Sequence, residues 1–232
     1  MARTDLARRD TVADPTNHRA AILSSIRRSL GASASSLLIA TEYAAIARTY
    51  TKSNKSSASS VAELFEDRLR EYDAGVYHAS AESVSGAVAE ILDARSKTNL
   101  VIPAGLPASW LPKGFAFEEA DFFDAYQLDR AEGLLSGCTV AIAETGTIVL
   151  QNASGQGPRI LSLVPDYHLC VVLADQIVAT VPEAFDCLEA SSTLPTTFIS
   201  GPSATADIEM TRIKGVHGPR FLDVLIVEEA IS

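Results

Sequence analysis

The chain has 232 residues, 47% hydrophobic and 21% charged, a globular composition that excludes a disordered chain. Its net charge of −10 is uneven: residues 1–60 carry nine Lys or Arg against four Asp or Glu, a net +5, which leaves −15 for the remainder. An acidic body argues against a grip on nucleic-acid phosphates, and no apolar run approaches the roughly 18 residues of a membrane helix.

Met1–Asp14 mixes arginines with Asp5, Asp10 and Asp14 and has no apolar stretch, unlike a secretory signal or an acid-poor transit peptide. Ile22, Ile26 and Leu30 recur at helical spacing before Gly31, which predicts an amphipathic helix over Arg19–Leu30. Leu37–Tyr50 is a further helical candidate, whereas Thr51–Ser60 is polar, small and loop-like. Residues 1–60 therefore read as a helical, partly mobile segment and residues 61–232 as the main domain. There Val61–Tyr72 has helical spacing, Gly75–His78 reads as a strand, and Ala81–Ala94 as a helix with Val84, Val88 and Ile91 inward. Asn99–Ile102 is a strand closed by Pro103, and Ala104–Phe117 is expected to be a long irregular connection. Thr139–Ala143 and Thr147–Leu150 are β-type runs around a turn, and Leu169–Leu173, Phe198–Ser200 and Phe221–Val227 supply further strands. Helices are expected over Pro182–Ala190 and Thr205–Arg212. This alternation predicts an α/β fold with a mixed, mainly parallel sheet flanked by helices.

The chemically suggestive side chains fall between Gly137 and Arg220. Glu144 occupies the turn between two β runs, where a carboxylate acts as base or nucleophile or is merely solvated. Gly155, Gly157 and Arg159, with Pro158 between, suit a loop that approaches a carboxylate or phosphate, or a plain turn. Asp166, His168 and Cys170 alternate at period two, so one strand face would carry all three, and His217 is a conceivable fourth metal ligand. Ser203 and Thr205 are placed to cap a helix whose first turn holds Asp207 and Glu209, an arrangement that attracts an anion or simply satisfies the helix dipole. Cys138, Cys170 and Cys187 are too few for a disulfide framework and too few for the four thiolates of an iron–sulfur cluster.

Several blocks, in order, resemble one family. They are Ala141-Ile142-Ala143-Glu144-Thr145-Gly146-Thr147, Gly155-Gln156-Gly157 with Arg159, and Leu163-Val164-Pro165-Asp166 with His168. Asp175-Gln176-Ile177-Val178, Gly201-Pro202-Ser203 with Thr205-Ala206-Asp207-Ile208-Glu209, and Gly215-Val216-His217-Gly218-Pro219 complete the series. Together they are similar to the LUD domain of the lactate utilization protein C (LutC/YkgG) family. That resemblance implies the fold of sugar-phosphate isomerases and coenzyme A transferases (NagB/RpiA/CoA transferase-like) and a bacterial cytoplasmic setting. It implies a role in oxidising L-lactate to pyruvate beside iron–sulfur partner proteins, with no cofactor or metal bound by this chain. It brings no catalytic residue with it.

Three readings result: a subunit of a lactate-oxidising iron–sulfur complex that binds a small carboxylate or shapes a partner's site, a free-standing small-anion isomerase or acyl/CoA-transfer enzyme using Glu144, and a non-catalytic scaffold. The candidate site comprises Glu144, the anion-binding set Gly155, Gly157, Arg159, Ser203 and Thr205, and the supporting His168, Asp207, Glu209 and His217.

Overall fold

The computed structural model describes residues 15–30, 36–53, 56–205, 213–214 and 218–228. Its contacts divide the chain into two units, Met1–Tyr50 and Thr51–Ser232. In the first, α1 (Pro15–Ser29) ends close to where Gly31 predicts, and α2 (Ser36–Ala45) is shorter than the candidate Leu37–Tyr50. Ile22, Ile26 and Leu30 are exposed.

The second unit opens with α3 (Ala58–Glu71), whose head reaches back into the stretch expected to be loop. Ser57 caps it by accepting a hydrogen bond from the Ser60 N–H, and Val61, Phe65 and Leu69 bury the stripe that the spacing predicts. Next come β1 (Gly75–Ser80), α4 (Val84–Ala94), β2 (Asn99–Ile102), β3 (Ala116–Glu119) and the short α5 (Ala125–Leu128). Then follow β4 (Leu134–Ser136), β5 (Val140–Ile142), β6 (Thr147–Gln151), β7 (Tyr167–Leu173) and β8 (Ile177–Val178). The chain closes with α6 (Val181–Leu188), β9 (Thr196–Ile199), β10 (Ala204–Thr205), β11 (Ile213–Lys214) and β12 (Phe221–Glu228). The connection expected to be irregular throughout Ala104–Phe117 contains a 3₁₀ turn at Ala108–Trp110 and runs into β3.

The six-stranded sheet has the order β1-β12-β7-β4-β2-β3 and is parallel at every pairing. A four-stranded sheet, β8-β5-β6-β9, joins one parallel to two antiparallel pairings. The mixed character expected of one sheet is thus confined to the second.

Alternation along the central strands explains the layering. Tyr167, Leu169 and Val171 of β7, with Leu225 and Val227 of β12, pack on α4. Cys170, Val172, Val224 and Ile226 point the other way, onto α3 and onto Ala141, Ile148 and Leu150 of the second sheet. Val140, Ile142 and Val149 on the far side of that sheet receive Ala184 and Leu188 of α6. Both faces of each sheet are covered, so the strands read as continuous apolar runs rather than alternating ones.

Candidate functional site

A cavity of about 240 Å³ lies where β7 and β12 begin. The loop entering β7 supplies Arg159 and Ser162, β7 itself supplies His168, the segment after β9 supplies Ser200, Gly201 and Ser203, and Gly218, Pro219 and Leu222 close it. Three side chains singled out from sequence therefore meet: Arg159, His168 and Ser203. No acidic side chain is among the described residues that line the cavity, although the chain carries a net −10. Arg159 is exposed and opens a 3₁₀ turn, and its Nη1 donates to Ser162 Oγ at 3.0 Å. The Ser203 N–H donates to the Pro219 carbonyl at 2.8 Å, which ties the two sides of the wall together. Ser200 Oγ lies 2.7 Å from Thr147 Oγ1, which lies 2.7 Å from Thr145 Oγ1, so a short chain of hydroxyls runs from the cavity into the second sheet.

His168 is fully buried. Its Nε2 lies 2.8 Å from Ser136 Oγ at the end of β4, whereas Nδ1 has no hydrogen-bond partner among the described residues. Cys170 follows on the same strand face, with its thiol 3.7 Å from the Gly137 carbonyl. Its hydrogen bond with Cys138, reinforced by burial, pushes the Cys138 thiol well above the ordinary range. The third member of the period-two series stands apart. Asp166 precedes β7 and is clasped by Arg220 through two bonds of 2.6 Å, which hold its carboxyl below the usual range. Asp166, His168 and Cys170 consequently do not converge, and no group of three metal-ligating side chains is found among the described residues. His217 lies outside the described residues, as do Asp207 and Glu209.

Glu144 is exposed in a 3₁₀ turn between β5 and β6, away from the cavity. Its Oε1 accepts a 2.8 Å hydrogen bond from the Val181 N–H, the first residue of α6. That helix already carries a capping box of Thr180 and Glu183, and Glu144 satisfies another of its free donors while placing negative charge at its positive end. Gly155 and Gly157 shape the loop before Arg159 without lining the cavity, and both have positive φ, 75° and 69°. At Gly157 a Cβ would meet Leu161 Cδ1 at 2.6 Å and Pro103 Cβ at 2.9 Å, so close packing and a left-handed backbone both demand glycine there. Thr205 ends β10, which pairs with β11. Residues 206–212, where a helix was expected, lie outside the described residues.

Sequence reasoning missed Ser136, Ser162 and Ser200. It also missed a buried cluster on the opposite face of the six-stranded sheet. There Asp223 is fully buried and accepts hydrogen bonds from Arg95 Nε at 2.7 Å, Arg95 Nη2 at 2.6 Å and Tyr167 Oη at 3.0 Å. An aspartate inside the apolar run Phe221–Val227 was the available signal, because a buried carboxylate demands a partner.

A family model described as the LUD domain matches residues 40–227. The "Lactate utilization protein C" of Deinococcus radiodurans is 45% identical over 174 residues, 74% of this chain and 81% of that protein. The protein of the same name in Shouchella clausii is 37% identical over 108 residues, covering 44% and 47% of the two chains. The "Uncharacterized protein YkgG" of Escherichia coli is 36% identical over 114 residues, 45% of this chain and 49% of that one. A crystal structure of a DUF162 family protein from D. radiodurans superimposes with a TM-score of 0.66 and 42% identity over 74% of this chain and 99% of that one.

Proposed function

This chain belongs to the LUD domain family, and from that membership we propose that it serves in lactate utilization, with the Arg159–His168–Ser203 cavity as the binding site for a small carboxylate. The observation that carries the site is the lining itself. An arginine, three serines and a histidine face one space of about 240 Å³ with no acidic side chain among the described lining residues. In a chain of net −10 such a place is where an anion is least repelled and best supplied with donors. A volume of that order suits a molecule of a few heavy atoms.

In this reading the chain is one subunit of an assembly that oxidises L-lactate to pyruvate, and its partners hold the iron–sulfur clusters. Three cysteines, two of them within the core, are a poor ligand set for such a cluster in this chain. The carboxylate of Glu144 is engaged at the head of α6, which favours the subunit reading over a free-standing transferase built on that residue.

The test is anaerobic isolation of the tagged protein from its own host grown on lactate, with wild-type and Arg159→Ala proteins side by side. Co-purifying iron–sulfur proteins and lactate-dependent dye reduction in the wild-type eluate, with the reduction lost in the variant, are the expected results. A colourless protein that purifies alone overturns the subunit reading. Full dye reduction by the variant overturns the assignment of the cavity.

A further inference from the structure

We propose that His168 is a hydrogen-bond acceptor of fixed tautomer at the floor of the cavity, and that it selects small anions presenting a hydroxyl or amino hydrogen next to their charged group. The inference rests on the reading of this cavity as a ligand site and adds to it which nitrogen meets the ligand and what that nitrogen requires.

The tautomer is decided by Ser136. Its hydroxyl has a single hydrogen and, besides the Cys170 thiol, which hydrogen-bonds with both Ser136 and His168, two neighbours, the Gly137 carbonyl at 3.0 Å and His168 Nε2 at 2.8 Å. If that hydrogen goes to the Gly137 carbonyl, Ser136 Oγ accepts from Nε2–H and both bonds form. The neutral ring then leaves a bare lone pair on Nδ1. If the hydrogen goes to Nε2 instead, one of the two bonds is lost. The ring proton then sits on Nδ1 as a buried donor with no partner, a rarer and costlier state than an unfilled acceptor. The first arrangement therefore prevails.

His168 is fully buried, and Nδ1 is the only buried side-chain nitrogen or oxygen among the described residues with no hydrogen-bond partner. Native folds rarely leave such a group unsatisfied without a functional reason. The partner it lacks is a donor, and the lining offers the anionic end of a ligand Arg159 and the Ser203 hydroxyl as its own partners. A ligand with a carboxylate at one end and an O–H or N–H on the adjacent carbon satisfies both. An oxo group at that carbon would set two lone pairs against each other, and an unsubstituted carbon would leave Nδ1 unfilled. Either analogue is expected to bind at least about tenfold more weakly than the hydroxy acid.

The experiment uses the full chain, ¹⁵N-labelled at histidine, at pH 8.5, with His168→Phe to assign the ring signals. Three anions of equal carbon number, lactate, pyruvate and propionate, are titrated while ring ¹⁵N shifts and melting temperature are followed. The expected result is a protonated Nε2 and a bare Nδ1 in the free protein. Lactate alone should move the Nδ1 signal, and it should raise the melting temperature most. A protonated Nδ1 in the free protein overturns the proposal. Equal binding of all three anions that depends on Arg159 also overturns it, while leaving the cavity as an anion site. No binding by any of them overturns both readings together. His168→Phe should bind lactate and propionate alike. If that variant does not fold, replacing His18, His78 and His217 instead leaves the His168 ring signals alone in the spectrum, and they decide the matter.

Discussion

Gly75→Ala is expected to destabilise the protein through one oxygen atom of a residue far away in sequence. A Cβ at Gly75 would lie 2.2 Å from Asp223 Oδ1 and 3.1 Å from Asp223 Cγ, across the β1–β12 pairing that sets the two residues opposite each other. The carboxylate cannot step aside freely, because Arg95 Nη2 holds Oδ1 at 2.6 Å while Arg95 Nε and Tyr167 Oη hold Oδ2. Overpacking in a filled core costs about 1–3 kcal/mol, and loosening a charge-assisted hydrogen bond adds about 1.5–3 kcal/mol. The reduced freedom of the unfolded chain returns about 0.4–1 kcal/mol. The net expectation is a loss of about 3 kcal/mol. Removing the obstacle removes the cost, so in an Asp223→Ala background the same Gly75→Ala change should cost less than about 1 kcal/mol, a coupling well above the additive scatter of about 0.5 kcal/mol. Asp223→Ala itself should cost about 3 kcal/mol, at the low end for a broken buried pair, because the Arg95 side chain is 32% exposed and can rehydrate. Urea unfolding of the four proteins measures all of these terms. Equal cost of Gly75→Ala in both backgrounds would refute the assignment of the clash to the carboxylate.

Glu144→Ala should cost about 1 kcal/mol by freeing a donor at the head of α6, and leave any melting shift with small anions unchanged; loss of that shift would return Glu144 to the site. Gly157→Ala should cost about 3 kcal/mol, from the left-handed backbone and from crowding on Pro103, and an unchanged urea midpoint would refute this. Glu66, Glu132 and Asp166 are held below the ordinary carboxylate range by Arg70, by the N–H groups of Thr98 and Asn99, and by Arg220 respectively. Because their folded values lie below the unfolded ones, the unfolded chain takes up protons first on acidification. This contribution is therefore complete above about pH 4.5 and is lost as pH falls through the folded values. Melting temperature should fall on acidification below that point, and Glu132→Gln should shallow the fall; an unaltered slope in the variant would count against the assignment.

The elements legible in the sequence are those whose burial is local in pattern. β7 and β12 announce themselves as apolar runs, and α3 and α4 as stripes at helical spacing. β4 is central to the sheet, yet it has three residues and offers no period to read. β3 is an edge strand with exposed Glu118 and Glu119, so only its pairing with β2 makes it a strand. The site divides in the same way. Arg159, His168 and Ser203 stood out because they are polar where packing alone would choose otherwise. Ser136 acquires its role from a partner 32 positions away, and Glu144 from a helix that starts 37 positions later. Spacing placed Glu144 correctly in a turn but carried no information about what that turn faces.

Two of the polar side chains buried in the six-stranded sheet, His168 and Asp223, show why geometry decides what composition leaves open. His168 and Asp223 are near neighbours in register, since Leu222 pairs with His168 and Asp223 with Leu169. Alternation sends them to opposite faces, and both are fully buried. In the sequence each is a polar residue within an apolar run, and only His168 was singled out. Asp223 is closed off, with both oxygens engaged by Arg95 and one of them also by Tyr167, and a network satisfied in this way stabilises and orients without asking for a ligand. His168 is satisfied at one nitrogen and open at the other, and its side chain lines a cavity that also holds an arginine. A buried group left with spare hydrogen-bonding capacity costs stability unless something arrives to use it. That residual capacity, rather than burial or polarity alone, separates Asp223, which serves the fold, from His168, for which a ligand is proposed.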